Sequence, residues 1–286
     1  MTGPFIGSTA VASGQMSKYQ LASRYVRLFP DVYVPADLAV TASVRAIAAW
    51  LWSGQIGVVA GFAAAALHGS RWVDAARPVD LIHDNRHRQA GVVVRGDRVD
   101  DDDVADIDGV SVTTPARTAL DLSCWYPRST AVAAVDALAR ATDLNVADAE
   151  LLAERATGRR GIRRARRVLR LVDAGAQSPK ETWLRLLVLD AGFPPVQTQI
   201  PVFDEFGDAI AYLDMGWEEL KIALEYDGDH HRTSRSQFSY DRRRLEMLRR
   251  RHWVVVVVTA DDKPEDILRR VRDAIASRRA RAVHAA

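Results

Sequence analysis

Ile210-Ala-Tyr-Leu-Asp214, then Gly216-Trp-Glu-Glu219, then Leu220-Lys-Ile-Ala-Leu-Glu-Tyr-Asp227: this stretch decides how the second half of the 286-residue chain folds. The outer runs read as strands and the middle one as a turn. Period-2 alternation in the later run puts Leu220, Ile222, Leu224 and Tyr226 on one face. Lys221, Ala223, Glu225 and Asp227 take the other. Paired as a hairpin, the strands bring Asp214 beside Glu225 and Asp227. Clustered carboxylates repel one another unless they are protonated or bind a cation. All-oxygen ligands suit Mg2+ or Mn2+. Such an ion activates water and stabilises charge on a transferring phosphoryl group, the chemistry of phosphodiester hydrolysis. Gly228-Asp229-His230-His231 follows, and an imidazole beside a phosphate serves as acid, base or charged clamp.

Upstream, Ser178-Pro-Lys-Glu181 opens a helix that ends at Gly192, with Pro194 and Pro195 beyond. Ser178 is the N-cap, Pro179 the first helical residue, and Glu181 the far half of a capping box. Downstream, a helix from Ser236 to Arg251 carries Arg242, Arg243 and Arg244 early and Arg249 to Arg251 in its last turn. The β-branched run Trp253 to Val258 has the pattern of a central strand buried on both faces. Pro264 to Ser277 reads as a closing helix.

Further upstream, Arg159, Arg160, Arg163, Arg164 and Arg167 recur at three- and four-residue intervals, one basic stripe if helical. Like charges so close repel, and a polyanion relieves that repulsion. Residues 1–154 carry 13 Lys/Arg against 18 Asp/Glu, whereas residues 155–286 carry 26 against 19. A basic half is the footprint of a phosphate-backbone binder, so DNA is the expected partner.

The N-terminal half is mixed. Residues 9–35 read as two short helices, the second capped by Ser17, and a strand Val32-Tyr33-Val34, compatible with a winged helix. Helices are expected over Ala42–Trp52, Ala63–His68, Thr114–Leu122 and Thr130–Ala141, with strands at Val79–Ile82 and Val92–Val94. Seven aspartates between Asp97 and Asp108 read as an exposed loop without calcium-loop spacing. No apolar run reaches the roughly 20 residues that span a bilayer. Cys124 is the sole cysteine, so no internal disulfide forms, and a cytoplasmic location is expected.

Ser178-Pro-Lys-Glu181, Tyr212-Leu-Asp214, Glu225-Tyr-Asp-Gly228 with His231, Asp241 with Arg243 and Arg244, and Trp253 together resemble one bacterial family. It is a domain family related to the very-short-patch repair endonucleases, within the PD-(D/E)XK nuclease superfamily. The resemblance covers about residues 177–276 and implies a mixed sheet flanked by helices, a divalent metal and DNA cleavage. It would make Asp214 the central metal ligand, Glu225 the second acid, Glu181 the helix acid and His231 the family histidine. The superfamily lysine two residues after the second acid is Asp227 here. Lys221 and His231 are the candidates for its role.

Val32-Tyr-Val34, Gly61 with Ala64-Ala65 through Leu67-His-Gly69, and Thr113-Thr-Pro-Ala-Arg117 with Asp121-Leu122 resemble AbiEi-type antitoxin modules. That resemblance implies a winged helix, a DNA-linked regulatory role and, by analogy, a toxin partner. The expectation is an α/β (α+β) chain in three parts. These are a winged-helix-like segment (1–55), an AbiEi-antitoxin-like region (56–156) and a nuclease-type domain led by the Arg-rich helix (157–286). Its function would be a Mg2+- or Mn2+-dependent DNA endonuclease of repair or defence. The alternative is a DNA-binding, antitoxin-like regulator with an inactive nuclease fold.

Overall fold

A computed structural model describes residues 1–84, 88–228 and 235–285, the side chains of 235–242 and 281–285 excepted. The chain divides into two units, Met1–Ala174 and Gly175–Ala286.

The first unit opens with β1 (Phe5–Ile6), α1 (Gly7–Ala12), α2 (Lys18–Arg24), β2 (Tyr25–Phe29) and β3 (Val32–Pro35). Ser17 caps α2 through a full capping box with Gln20. The strands form a small antiparallel sheet in the order β1-β3-β2. The two short helices and the strand at Val32–Val34 expected over residues 9–35 are present, with β1 and β2 joining that strand in the sheet.

α3 (Ala42–Trp52), β4 (Val58–Ala60), α4 (Gly61–Leu67), β5 (Val79–Ile82), β6 (Val92–Arg95), β7 (Val104–Ile107) and β8 (Val110–Thr113) follow. They build a mixed sheet in the order β6-β5-β4-β8-β7. Its core joins Val59, Leu81 and Val112 to Ala46, Ala49 and Ala64 on the helices. A helical layer then forms from α5 (Pro115–Trp125), α6 (Arg128–Ala141), α7 (Val146–Arg155) and α8 (Ile162–Leu169). Ala165 and Leu169 of α8 pack with Leu122, Leu138 and Ala149. The Arg-rich helix therefore belongs to the first unit, and the division expected at 157 falls at 175. The charge asymmetry goes with it. Recounted on the observed units, residues 1–174 hold 21 Lys/Arg against 19 Asp/Glu, and residues 175–286 hold 18 of each. Positive charge is a local feature of particular helices.

The second unit comprises α9 (Pro179–Asp190), β9 (Gln197–Phe203), β10 (Ala209–Trp217), β11 (Ile222–Asp227), α10 (Arg235–Arg250), β12 (Val254–Thr259) and α11 (Pro264–Ala285). Its sheet runs β12-β11-β10-β9, parallel between β11 and β12 and antiparallel elsewhere. The alternation in β11 sorts as expected. Ile222 and Leu224 face Leu184 and Val188 of α9 with Ile267 and Val271 of α11. Ala223 faces Leu248 of α10 and Trp253. This is the mixed sheet flanked by helices that the sequence implied. The valine run is one strand off: β12 lies at the edge of the sheet. It reads as central because helices cover both its faces, with Val256 and Val258 on one side and Val255 on the other.

Candidate carboxylate centre and basic surfaces

The β10–β11 hairpin sets the geometry. Its turn closes through Lys221 N–H to the Glu218 carbonyl (3.0 Å), with Lys221 in the left-handed region at φ 50°. Gly216 lies opposite Ala223, where an added Cβ would sit 2.1 Å from the Ile222 carbonyl oxygen, so only glycine fits there. The β10–β11 pairing ends at Met215–Leu224. One step further, the Asp214 carboxylate replaces the ladder and accepts the Tyr226 N–H at 2.9 Å. On its other side β10 pairs with β9, where Gln199 takes φ 50° at the position opposite Asp214. Non-glycine residues held at positive φ concentrate at functional sites. The Gln177 side-chain amide donates to Gln199 at 2.6 Å and ties the start of α9 to this kink.

Ser178 caps α9 through the Glu181 N–H as expected, but the Glu181 carboxylate turns to the Gln177 N–H and the Ser178 hydroxyl instead of closing a capping box, and it joins the cluster. That carboxylate accepts Gln177 N–H (2.8 Å) and Ser178 Oγ–H (2.9 Å), while the Glu181 N–H donates to Ser178 Oγ (3.2 Å). Burial first, then the charges of Glu181 and Glu225, push Asp214 up to about 7, against the Tyr226 hydrogen bond and the nearby Arg244 guanidinium. Glu225 Oε2 accepts from Arg244 at 2.6 Å, and the same guanidinium donates to the Tyr212 carbonyl at 2.8 Å. Glu225 Oε1 is buried and meets no donor among the described residues.

Asp214, Glu225 and Asp227 do not converge as a three-ligand set. No group of three His, Cys, Asp or Glu side chains among the described residues is spaced to hold a metal ion. Asp227 is two strand residues beyond Glu225, about 6.6 Å along the strand, and Arg244 holds one Glu225 oxygen. Asp214 and Glu225 still suit Mg2+, which commonly takes one or two carboxylates and keeps several waters. Glu225 Oε1, buried and without a hydrogen-bond donor among the described residues, is the oxygen such a pair would offer a cation beside Asp214.

Lys221 moves away from the site. It precedes β11, four residues from Glu225 or about 13 Å along a strand, and its ammonium sits 4.8 Å from the centroid of the Trp253 ring. His231, His230 and the Arg242 side chain lie outside the described residues. Arg243 is exposed on α10, and Arg244 is the ion-pair partner of Glu225.

The stripe before α9 divides in two. Arg159 lies before α8 and is a structural residue. Its guanidinium holds Asp97 (2.9 Å) and the fully buried Asp121 (2.5 Å). Arg164 donates to the Ser123 and Cys124 carbonyls, which α5 leaves open at its C-terminal end. Arg160, Arg163 and Arg167 are exposed, and Arg170 extends their face. The acidic stretch divides likewise: Asp103 pairs with the buried Arg117 at 2.6 Å and Asp97 with Arg159, while Asp100 to Asp102 stay near the surface.

The motifs of the first unit prove to be structural. Asp80, fully buried on β5, accepts from the Phe62 N–H at the start of α4, from Arg95 at 2.7 Å and from the Tyr126 hydroxyl. Gly61 (φ +56°) is required because its Cβ would meet Asp80 Oδ2 at 2.6 Å. His68 Nε2–H reaches the Thr113 carbonyl at 2.8 Å, and the Thr113 and Thr118 hydroxyls share a hydrogen bond of 2.7 Å. Arg117 Nε donates to Asp121 at 2.9 Å. Burial pushes Asp121 above the usual carboxylate range, opposed by the Arg117 and Arg159 guanidiniums.

These motifs coincide with a family match. Residues 59–173 match the family model described as AbiEi antitoxin C-terminal domain, ending within a residue of the observed unit boundary. The chain is 29% identical over 156 residues to the uncharacterized protein Rv2248 of Mycobacterium tuberculosis, covering 54% of this chain and 57% of that protein. The uncharacterized protein MT2308, from another strain of that organism, gives the same figures. The chain thus spans just over half the length of the curated relatives it matches. No solved structure matches it. None of these matches carries a nuclease description, and the family likeness that stands is to the AbiEi antitoxin C-terminal domain, through residues 59–173.

Proposed function

We propose that the protein is a DNA-binding regulator of the antitoxin type. The observation that carries this reading is the AbiEi match over residues 59–173, within which His68, Thr113, Arg117 and Asp121 of the quoted motifs are held by hydrogen bonds. Two features support DNA as the ligand: the winged-helix-like segment at the amino terminus and the exposed Arg160–Arg163–Arg167 stripe. The test is an electrophoretic shift of DNA upstream of the protein's own coding sequence. Retention by the wild type that weakens in Arg163→Glu/Arg167→Glu supports the reading, and no retention by the wild type at low salt refutes it. A companion toxin follows from the family's name alone. Co-expression tests it, with the chain restoring growth to cells that make the protein encoded beside it.

A second reading, a Mg2+- or Mn2+-dependent endodeoxyribonuclease, is favoured by the second unit. Its motive is the buried Asp214, raised to about 7 by burial first and then by the charges of Glu181 and Glu225. Asp214 and Glu225 would hold the cation, which when bound supplies water activation and charge neutralisation at a phosphate. Glu181, fixed by Gln177 and Ser178, would orient the site, and Arg244 would keep Glu225 in place. Cleavage of duplex, single-stranded, mismatched and flapped DNA is compared for wild type and Asp214→Asn, with each metal. Loss of cutting in the variant with binding retained supports the reading, and equal cutting by both rejects it.

A further inference from the structure

The carboxylate centre already contains one cation, and it belongs to the chain. Packing puts it there. Leu248 of α10 is fully buried in one cluster with Ala223 of β11. Arg244 stands four helix residues before Leu248, and Glu225 two strand residues after Ala223, each on the same face as its neighbour. Four residues of helix and two of strand advance by nearly equal lengths, about 6.0 and 6.6 Å. Seating Leu248 on Ala223 therefore delivers the guanidinium to the Glu225 carboxylate.

There Arg244 Nη1 donates to Glu225 Oε2 at 2.6 Å and Nη2 to the Tyr212 carbonyl at 2.8 Å, so one side chain spans β11 and β10. The pair is sheltered, with 23% of the Arg244 side chain and 12% of the Glu225 side chain exposed. An ionised carboxylate so enclosed needs a positive partner. Arg244 is that partner for one oxygen, while Oε1 is buried and meets no donor among the described residues. The charge of Arg244 also reaches Asp214, where it opposes those of Glu181 and Glu225.

A divalent ion held by Asp214 and Glu225 Oε1 would share one carboxylate with this guanidinium. Arg244 acts on such an ion in two opposite ways. Its hydrogen bonds fix Glu225, which favours binding by a modest amount. Its charge repels the ion across a short, sheltered distance, and against a double charge that repulsion is the larger effect.

We propose that Arg244 is the resident counter-cation of the centre, competing with a divalent ion for Glu225 and holding down the affinity of the site for metal. The proposal rests on the metal-binding reading of Asp214 and Glu225 above and adds a control on it that lies in the chain itself.

The experiment titrates Mn2+ into the full chain without DNA, at about pH 8, where Asp214 is ionised. The paramagnetic resonance of the free ion reads binding. Wild type is compared with Arg244→Gln, Arg244→Met, Arg244→Lys and Asp214→Asn, each checked by its melting curve in EDTA. Arg244→Gln loses the charge and keeps a donor for the Tyr212 carbonyl, Arg244→Met loses both, and Arg244→Lys keeps the charge. Expected are roughly tenfold tighter Mn2+ binding in whichever of the two neutral variants stays folded, near wild-type affinity in Arg244→Lys, and loss of the site in Asp214→Asn. A purely structural role for Arg244 would weaken binding in the neutral variants. Unchanged or weaker binding there, or an equal gain in Arg244→Lys, overturns the proposal and leaves the metal site standing. Binding that survives Asp214→Asn, or no binding by any of the proteins at millimolar Mn2+, overturns the metal reading as well.

Discussion

Arg159→Ala separates a structural arginine from a DNA contact. The guanidinium of Arg159 reaches Asp121 at 2.5 Å and Asp97 at 2.9 Å, and lies 5.7 Å from the centroid of the Trp125 ring. Asp121 has no solvent exposure, and its second oxygen finds no donor among the described residues. Removing one partner of a buried ion pair costs about 3–5 kcal/mol, because the remaining charge is stranded. Arg117 keeps its bond to Asp121, which places the loss at the lower end, about 3 kcal/mol. For a unit of 174 residues that corresponds to a fall in melting temperature of roughly 6–12 °C. Hydrogen exchange of the α5 amides reads the first unit separately and should show the same loss of protection. Arg163→Ala, an exposed change on the same segment, should stay within about 0.5 kcal/mol. If Arg159→Ala melts like wild type while DNA binding drops, Arg159 is a surface contact and the buried network is wrong.

Asp214 gives a pH-dependent test. Its folded pKa of about 7 stands above the ordinary 3.8, so the folded state holds a proton that the unfolded chain releases. Stability should therefore fall as pH rises between those values and level off above them. Asp214→Asn should flatten that slope, seen in urea midpoints at about pH 5 and about pH 8. Millimolar Mg2+ should raise the wild-type midpoint at the higher pH and leave Asp214→Asn unmoved; a rise in both places the ion elsewhere. Gly61→Ala forces a Cβ against Asp80 at a positive φ and should destabilise the first unit by about 2 kcal/mol; a wild-type melting curve would show that β5 and α4 are not so closely apposed.

The second unit was legible in the sequence where local rules govern. Ser178 and Glu181 announced α9, and period-2 alternation sorted Ile222 and Leu224 from Ala223 and Glu225 correctly. What failed was non-local. The arginines of 159–167 share a spacing, but whether each meets solvent or a carboxylate depends on Asp97 and Asp121, 62 and 38 residues from Arg159. The same holds for Asp97 and Asp103, which a solvated loop would have left outside. Lys221 was assigned to the strand by alternation, and its left-handed turn conformation removed it. The valine run announced burial on both faces, which helices supply as well as neighbouring strands do. Gln199 carries no signal for its positive φ, which arises where β10 stops pairing with β11 and keeps pairing with β9.

The central claim is that this protein binds DNA through local basic surfaces. A salt titration of the full chain on DNA upstream of its own coding sequence tests it most directly. The account predicts that log K falls linearly with log salt, and that Arg163→Glu/Arg167→Glu lowers the slope by roughly two. Undetectable binding at low salt, or binding indifferent to salt and to both arginines, would contradict it.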